Sequence, residues 1–282
     1  MDTALLFDYD HTIPLAVQAA GDSRSYHDIT VRDITFDNAR GGRVEATLTT
    51  PPGEGPFAGI LWVHWYEPSS PSSNRSQFYH EAIELAGGGV VSLLVDAFWS
   101  TTPKKWAEKP EHPWRSEVGH DTDLCARQVV ELRRALDVLT AQPHVHARRI
   151  GYVGHDFGAM CGALLAAVEP RVKGYVLMAG TTTFSEWFLF GSKMPREDEQ
   201  RYMEAMSPLD PVRHIGQAAP AALYFQFAHS DYYVPERTAQ MFYDAASDPK
   251  AIVWYEAQHD LTHDEARPDR LRWLRAQLGL AP

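Results

Sequence analysis

Ile150-Gly151-Tyr152-Val153-Gly154-His155-Asp156-Phe157-Gly158 is the stretch on which the reading of this chain turns. Its first four residues read as a buried strand, and the glycine-bracketed segment after them as a sharp turn into a helix. Glycine on both flanks suits a turn that presses the helix backbone against the strand, because a Cβ at either place would clash. The residue at the tip is held at strained dihedrals, often with positive φ, which Asp tolerates better than most side chains. This is the pattern of a nucleophile elbow, G-x-Nu-x-G, with a carboxylate where serine is expected. A second reading of Asp156 is the N-cap of the following helix, a position Asp favours.

Composition bounds the rest. A chain of 282 residues, 44% hydrophobic and 22% charged, fits one large soluble α/β domain, here spanning residues 1–282. A net charge of -11 argues against nucleic acid or an anionic membrane as partner, and the expected partner is a small-molecule substrate, with a homodimer left open. The two cysteines, Cys125 and Cys161, lie in no metal-binding or disulfide pattern. No apolar run approaches 18 residues, and Met1 to Asp8 lack a basic leader, so no membrane span or signal peptide is expected and the cytoplasm is the default setting. His144 and His146 have no third ligand near them in sequence, and the glycines at 87–89 lack the spacing of a nucleotide loop. No metal or cofactor is expected.

Outward from the elbow, strands and helices alternate. Residues 29–49 read as an antiparallel hairpin turning at 38–42. Strands are expected at 58–64, 90–95, 149–153, 172–178, 221–227 and 251–256, with helices at 77–86, 121–139, 157–168, 237–246 and 267–278. That alternation predicts a mostly parallel sheet wrapped by helices on both faces, with the site beyond the carboxyl ends of the strands. Residues 97–118, with Trp99, Trp106 and Trp114, read as an irregular excursion. Residues 181–216 break the rhythm with Trp187, Phe188, Phe190, Met194, Tyr202 and Met206, and read as a short lid.

Two later strand ends carry partners for Asp156. The strand at 221–227 runs into Ala228-His229-Ser230-Asp231, and that at 251–256 into Ala257-Gln258-His259-Asp260. Nucleophile, acid and histidine thus follow in that chain order. His259 is the expected base and Asp231 the acid that orients it, with His263 as the rival histidine and a turn role as the rival reading of Asp231. The expected oxyanion donors are the backbone N–H groups of Phe157 and Trp65. Tyr66, Trp99, Trp187, Tyr202 and His155 are candidates to line the substrate pocket.

Several segments carry a family likeness. They are Gly55-Pro56-Phe57-Ala58, Asn74-Arg75-Ser76-Gln77-Phe78, Leu93-Leu94-Val95-Asp96, Arg149-Ile150-Gly151-Tyr152-Val153-Gly154-His155 and Tyr175-Val176-Leu177-Met178-Ala179-Gly180. On these, the chain from 29 to 278 resembles the α/β-hydrolase superfamily, and within it the dienelactone hydrolase-like and prolyl-oligopeptidase-like esterases. The resemblance implies the α/β-hydrolase fold and a hydrolase without a redox cofactor. The tip departs from those esterases, which carry Ser or Cys; Asp there resembles haloalkane dehalogenases and epoxide hydrolases. His64-Trp65-Tyr66-Glu67 is not the His-Gly-x-Pro of epoxide hydrolases, and Phe157 replaces the tryptophan that commonly helps bind halide.

The tip residue restricts the chemistry. Attack by a carboxylate on an ester would require expelling an alkoxide, whose conjugate acid resembles water at roughly 15.7, in preference to a carboxylate at about 3.9. Attack at a saturated carbon bearing halide or a strained epoxide has no such obstacle and leaves an alkyl ester for His259 and water to cleave. Two alternatives stay open: an ester or lactone hydrolase in which Asp156 acts as base or orients water, and a non-hydrolytic binding or isomerising pocket.

Overall fold

The first large strand buries side chains on both faces. β3 (Ile29–Asp37) packs Ile29 and Val31 in a small cluster on one face and Ile34 and Phe36 in the main core on the other, and pairs antiparallel with β4 (Arg43–Thr50). The computed structural model describes residues 3–67, 69–100, 117–190 and 193–281. Ahead of this hairpin lie a one-turn helix, α1 (Thr3–Leu6), and two short strands, β1 (Gln18–Ala19) and β2 (Arg24–Tyr26), both paired to β3. These small strands precede the hairpin that the sequence pattern places at 29–49.

Next come β5 (Phe57–Val63) and β6 (Val90–Val95), whose residues are buried on both faces, as parallel strands covered by helices require. Helix α2 (Tyr79–Ala86) links them, and α3 (Val118–Thr140) follows β6. β7 (Val145–His155) leads into α4 (Phe157–Ala166), all ten residues of which are buried. β8 (Val172–Met178) follows. The expected excursion is described only at its ends; Trp106 and Trp114 lie outside the described residues.

The 181–216 segment is more helical than its broken rhythm suggests. It contains α5 (Phe184–Phe188), α6 (Arg196–Met206) and α7 (Pro211–His214), with 3-10 turns at Ser207–Leu209 and Ile215–Gln217. β9 (Ala222–Ala228), α8 (Glu236–Ala245), β10 (Lys250–Tyr255) and α9 (Ala266–Gln277) complete the chain.

The sheet order is β1-β3-β4-β6-β5-β7-β8-β9-β10. β6 through β10 along this path are mutually parallel, and β4 joins β6 antiparallel. After β5 the chain moves one way to β6, then crosses back over β5 to β7. The crossover direction therefore reverses between β5 and β7, which opens a crevice at their carboxyl ends. Val63 lies opposite Gly154 in that pairing, so the loop after β5 and the turn after β7 start level with one another. No helix among the described residues is long and apolar enough to cross a membrane.

Candidate active site

At the end of β7 the backbone turns in a single residue. Asp156 has φ 57° and ψ −115°, a conformation that costs a side-chain-bearing residue of order 1–3 kcal/mol and persists only where its surroundings impose it. The flanking glycines explain the imposition. A Cβ on Gly154 would lie 2.3 Å from the carbonyl oxygen of Gly158, and one on Gly158 would lie 2.4 Å from that of Val63. The turn is tied down by the Asp156 N–H donating to the Met178 carbonyl at 2.8 Å and by the buried Tyr152 hydroxyl donating to the Gly158 carbonyl at 2.6 Å. Asp156 does precede α4, but its side chain makes no capping hydrogen bond, so capping does not account for it.

Its carboxylate is fully buried and meets His259, carried by the loop after β10. His259 Nε2 lies 3.9 Å from Asp156 Oδ2, an ion-pair distance longer than a hydrogen bond. On the other side of the ring, His259 Nδ1 lies 2.9 Å from Asp231 Oδ2. Asp231 Oδ1 accepts from the backbone N–H groups of Tyr233 at 2.8 Å and Val234 at 3.0 Å. Asp231 therefore shapes its own turn and also orients the imidazole. His263 stands apart, beside Tyr255, with its Nδ1 accepting from the Glu265 N–H.

Burial and charge pull these groups in different directions. Burial alone would lower the His259 pKa, but Asp156 and Asp231 outweigh it and raise the group to about 9. Burial raises Asp156 against the opposing pull of His259 and the Tyr66 N–H. At neutral pH the site thus holds a protonated His259 ring between Asp156 and Asp231.

The donor facing the carboxylate corrects the expectation for Trp65. The Trp65 N–H is taken by Gln77 Oε1 at 2.8 Å; it is the Tyr66 N–H that donates to Asp156 Oδ2, at 3.0 Å. The loop geometry shifts the donor by one residue, since Gln77, ahead of α2, claims the first N–H after His64. Phe157 occupies the first position of α4. Oδ1 of Asp156 has no hydrogen-bond partner among the described residues.

The expected pocket residues divide. Trp187 faces the site, with its ring centroid 5.6 Å from His259 and 5.8 Å from Phe157, and its buried Nε1–H has no acceptor among the described residues. Tyr66 packs edge-on to Phe157 at 6.1 Å. Three others depart from the expectation. Trp99 is 1% exposed, stacks on Phe157 at 5.2 Å and donates its indole N–H to the His64 carbonyl, so it is core behind the elbow. Tyr202 donates its hydroxyl to Asp121 Oδ2 at 2.7 Å and pins α6 to α3. His155 is wholly buried, bonded to Gln77 and to the His259 carbonyl. Aromatic side chains beyond strand ends satisfy their own apolar surface and polar tips first, which is why the position of such a residue in sequence overstates its access to substrate. Sequence reasoning also missed Gln77 and Tyr233. The Tyr233 ring lies 5.1 Å from His259 and 5.5 Å from Trp187, yet it reads as an ordinary turn residue, with no sequence signal to single it out.

No protein-family model and no curated protein sequence matches this chain. Solved structures do. An acetyl xylan esterase from Paenibacillus sp. R4 matches with TM-score 0.76 and 18% identity over 93% of this chain and 89% of that one. Acetyl xylan esterase 1 from Thermoanaerobacterium sp. JW/SL YS485 matches with TM-score 0.76 and 16% identity over 98% and 92%. The fold is the α/β-hydrolase fold. A glucuronoyl esterase from Solibacter usitatus is a further structural match, with TM-score 0.67 and 14% identity over 98% and 91%. On this α/β-hydrolase scaffold, Asp156, Asp231 and His259 converge at the carboxyl ends of β7, β9 and β10.

Proposed function

We propose that this chain is a hydrolase whose reactive group is the Asp156 carboxylate, acting on a small substrate with a saturated carbon bearing halide or a strained epoxide. One observation carries the choice. The N–H best placed to polarise a substrate carbonyl, that of Tyr66, instead holds Asp156 Oδ2, while Oδ1 has no partner among the described residues. A carboxylate held by one oxygen, with the other unengaged, is arranged to attack.

In this reading Oδ1 forms a bond to the substrate carbon as the carbon–leaving-group bond breaks, and the leaving group departs with the electron pair. The Trp187 indole N–H is the proposed donor to it. Attack also switches the base. Esterification removes one of the two negative charges that hold a proton on His259, so its pKa falls; the ring gives up that proton, to the alkoxide of an opened epoxide or to solvent beside halide, and the neutral ring can then take one from water. That water adds to the Asp156 carbonyl carbon while the Tyr66 N–H stabilises the charge that develops on Oδ2; collapse expels the alkoxide oxygen, which takes its proton from His259 to leave as the alcohol, and the new carboxyl proton passes to His259, regenerating the carboxylate and the imidazolium. Phe157 N–H is the second proposed donor, the 181–216 segment the lid, and Trp187 with Tyr233 the lining of the entry path. The lining suits an apolar or aromatic substrate.

Ester hydrolysis is the second reading, favoured by the likeness to three esterases. Asp156 would then orient or deprotonate water without a covalent step. Single turnover in heavy-oxygen water, with mass spectrometry of the Asp156 peptide, separates the two over a panel of haloalkanes, epoxides, esters and lactones. Label in that peptide supports the covalent reading. Turnover of an ester with label only in the product acid supports the second.

A further inference from the structure

His155 lies between three loops that share no local sequence. Its Nε2 is 2.8 Å from the carbonyl oxygen of His259, and its Nδ1 is 2.6 Å from Gln77 Nε2. Gln77 Oε1 in turn accepts from the Trp65 N–H at 2.8 Å. Each end of this chain has a fixed sense. A backbone N–H only donates, so Gln77 must present its oxygen to Trp65 and its NH2 group to His155. A carbonyl oxygen only accepts, so His155 Nε2 must carry the proton and Nδ1 the lone pair. One neutral tautomer satisfies all three contacts, and the direction of donation runs unbroken from Trp65 through Gln77 and His155 to His259.

We propose that Gln77 and His155 form a positioning relay that sets both distances to the Asp156 carboxylate. At one end Gln77 occupies the Trp65 N–H, which leaves the next N–H, that of Tyr66, turned to Oδ2. At the other end His155 holds the backbone of His259, and with it the 3.9 Å separation between Nε2 and Oδ2. Stacking reinforces the arrangement. The Trp65 ring lies 5.1 Å from His155 at 13° and 6.3 Å from His259 at 23°, so one indole covers both imidazoles. Burial is the main reason His155 stays neutral; His259, Arg270 and His64 push the same way. Protonating Nδ1 would turn the Gln77 contact into two opposed donors. The relay's catalytic effect rests on the proposed hydrolase reading; its hydrogen-bond sense does not.

Two measurements test it. In the wild-type protein, two-bond proton–nitrogen correlation NMR of the imidazoles should show His155 as the Nε2–H tautomer from pH 5 to 9, without titrating. The second uses Gln77→Glu, which keeps the acceptor for Trp65 and replaces the NH2 donor with a carboxylate. His155 should then take a second proton. Its charge, with the ring 5.5 Å from that of His259, should lower the His259 titration by about one unit, after allowance for the new carboxylate. Where a substrate is turned over, kcat should fall about tenfold with KM changed less than twofold, and the alkaline limb of the pH profile should move with His259. Gln77→Leu and His155→Leu should lower kcat further, and His155→Gln, which can still donate to the His259 carbonyl, should restore part of the loss. An Nδ1–H tautomer or a titrating His155 in the wild-type protein overturns the relay. So does a Gln77→Glu protein with both histidines unchanged. Failure of every substrate in the panel would count against the hydrolase reading alone, because the NMR outcomes do not depend on turnover.

Discussion

Two buried carboxylates flank one imidazole in this molecule, and the turns that carry them are built differently. Asp156 sits at a strained residue with φ 57°; Oδ2 accepts one backbone N–H, and Oδ1 has no partner among the described residues. Asp231 sits in a turn that it organises, with Oδ1 accepting two N–H groups and Oδ2 engaged by His259 Nδ1. One side chain is fully employed in structure; the other is held under strain with an oxygen unused. Strain and an unmet hydrogen-bonding capacity at the same residue mark a group maintained at a cost to stability. The comparison supports the proposal that Asp156 is the reactive group and Asp231 the orienting one.

The largest effect should come from Asp156→Asn, which keeps the shape and removes the charge. Turnover of whichever substrate the panel identifies is expected to fall on the order of 10⁴-fold. A variant with activity near wild type would remove Asp156 from the mechanism.

Asp231→Ala should break the other half. It strands the Tyr233 and Val234 N–H groups and the His259 Nδ1 donor, and the expected loss is about 3 kcal/mol in chemical denaturation. Equal stability in this variant and wild type would mean that Asp231 does not organise its turn.

The pH dependence of stability probes the pair together. His259 is near 6.5 in the unfolded chain and about 9 in the fold, so its contribution is fully present below about 6.5 and is lost as pH rises through 9. Denaturation midpoints at pH 6, 7.5 and 9.5 should decline by the equivalent of about 1–3 kcal/mol, and the decline should shrink in Asp156→Asn. A flat profile across that window would show that the imidazole is not held protonated by its neighbours.

The smallest effect separates the carboxylates most sharply. Burial raises the Asp156 pKa, so its net contribution favours the fold only in the protonated form, below about 3.9, and is lost as pH rises through the folded value. Above pH 9, where the imidazole no longer contributes, Asp156→Asn is therefore expected to be more stable than wild type, by about 1 kcal/mol in thermal or chemical unfolding. A loss of stability in Asp156→Asn would place Asp156 in the same structural class as Asp231.

Much of this arrangement was legible in the residues. Gly154 and Gly158 announce a turn in which backbone passes against backbone, and the two close approaches, 2.3 Å and 2.4 Å for a hypothetical Cβ, are the steric reason. The ends of β9 and β10 supply Asp231 and His259 in an order that a parallel sheet brings side by side. The pattern was silent on which N–H faces the carboxylate, and it overrated Trp99, Tyr202 and His155 as pocket residues. Each of those depends on a partner from a remote segment: Gln77 for the Trp65 N–H, Asp121 for Tyr202, the His64 carbonyl for Trp99, and Gln77 with the His259 carbonyl for His155.

By itself, the order of residues determined the strand–helix alternation, the strained tip and the identity of its side chain, because these follow from local sterics, burial period and glycine placement. Tertiary structure alone decided that Tyr66 rather than Trp65 meets Asp156, that His155 serves the backbone of His259, and that Tyr233 reaches the site. Hydrogen bonds between separate loops are directional and short-ranged, so displacing a loop by one residue exchanges one donor for another, and only the packed sheet sets that displacement.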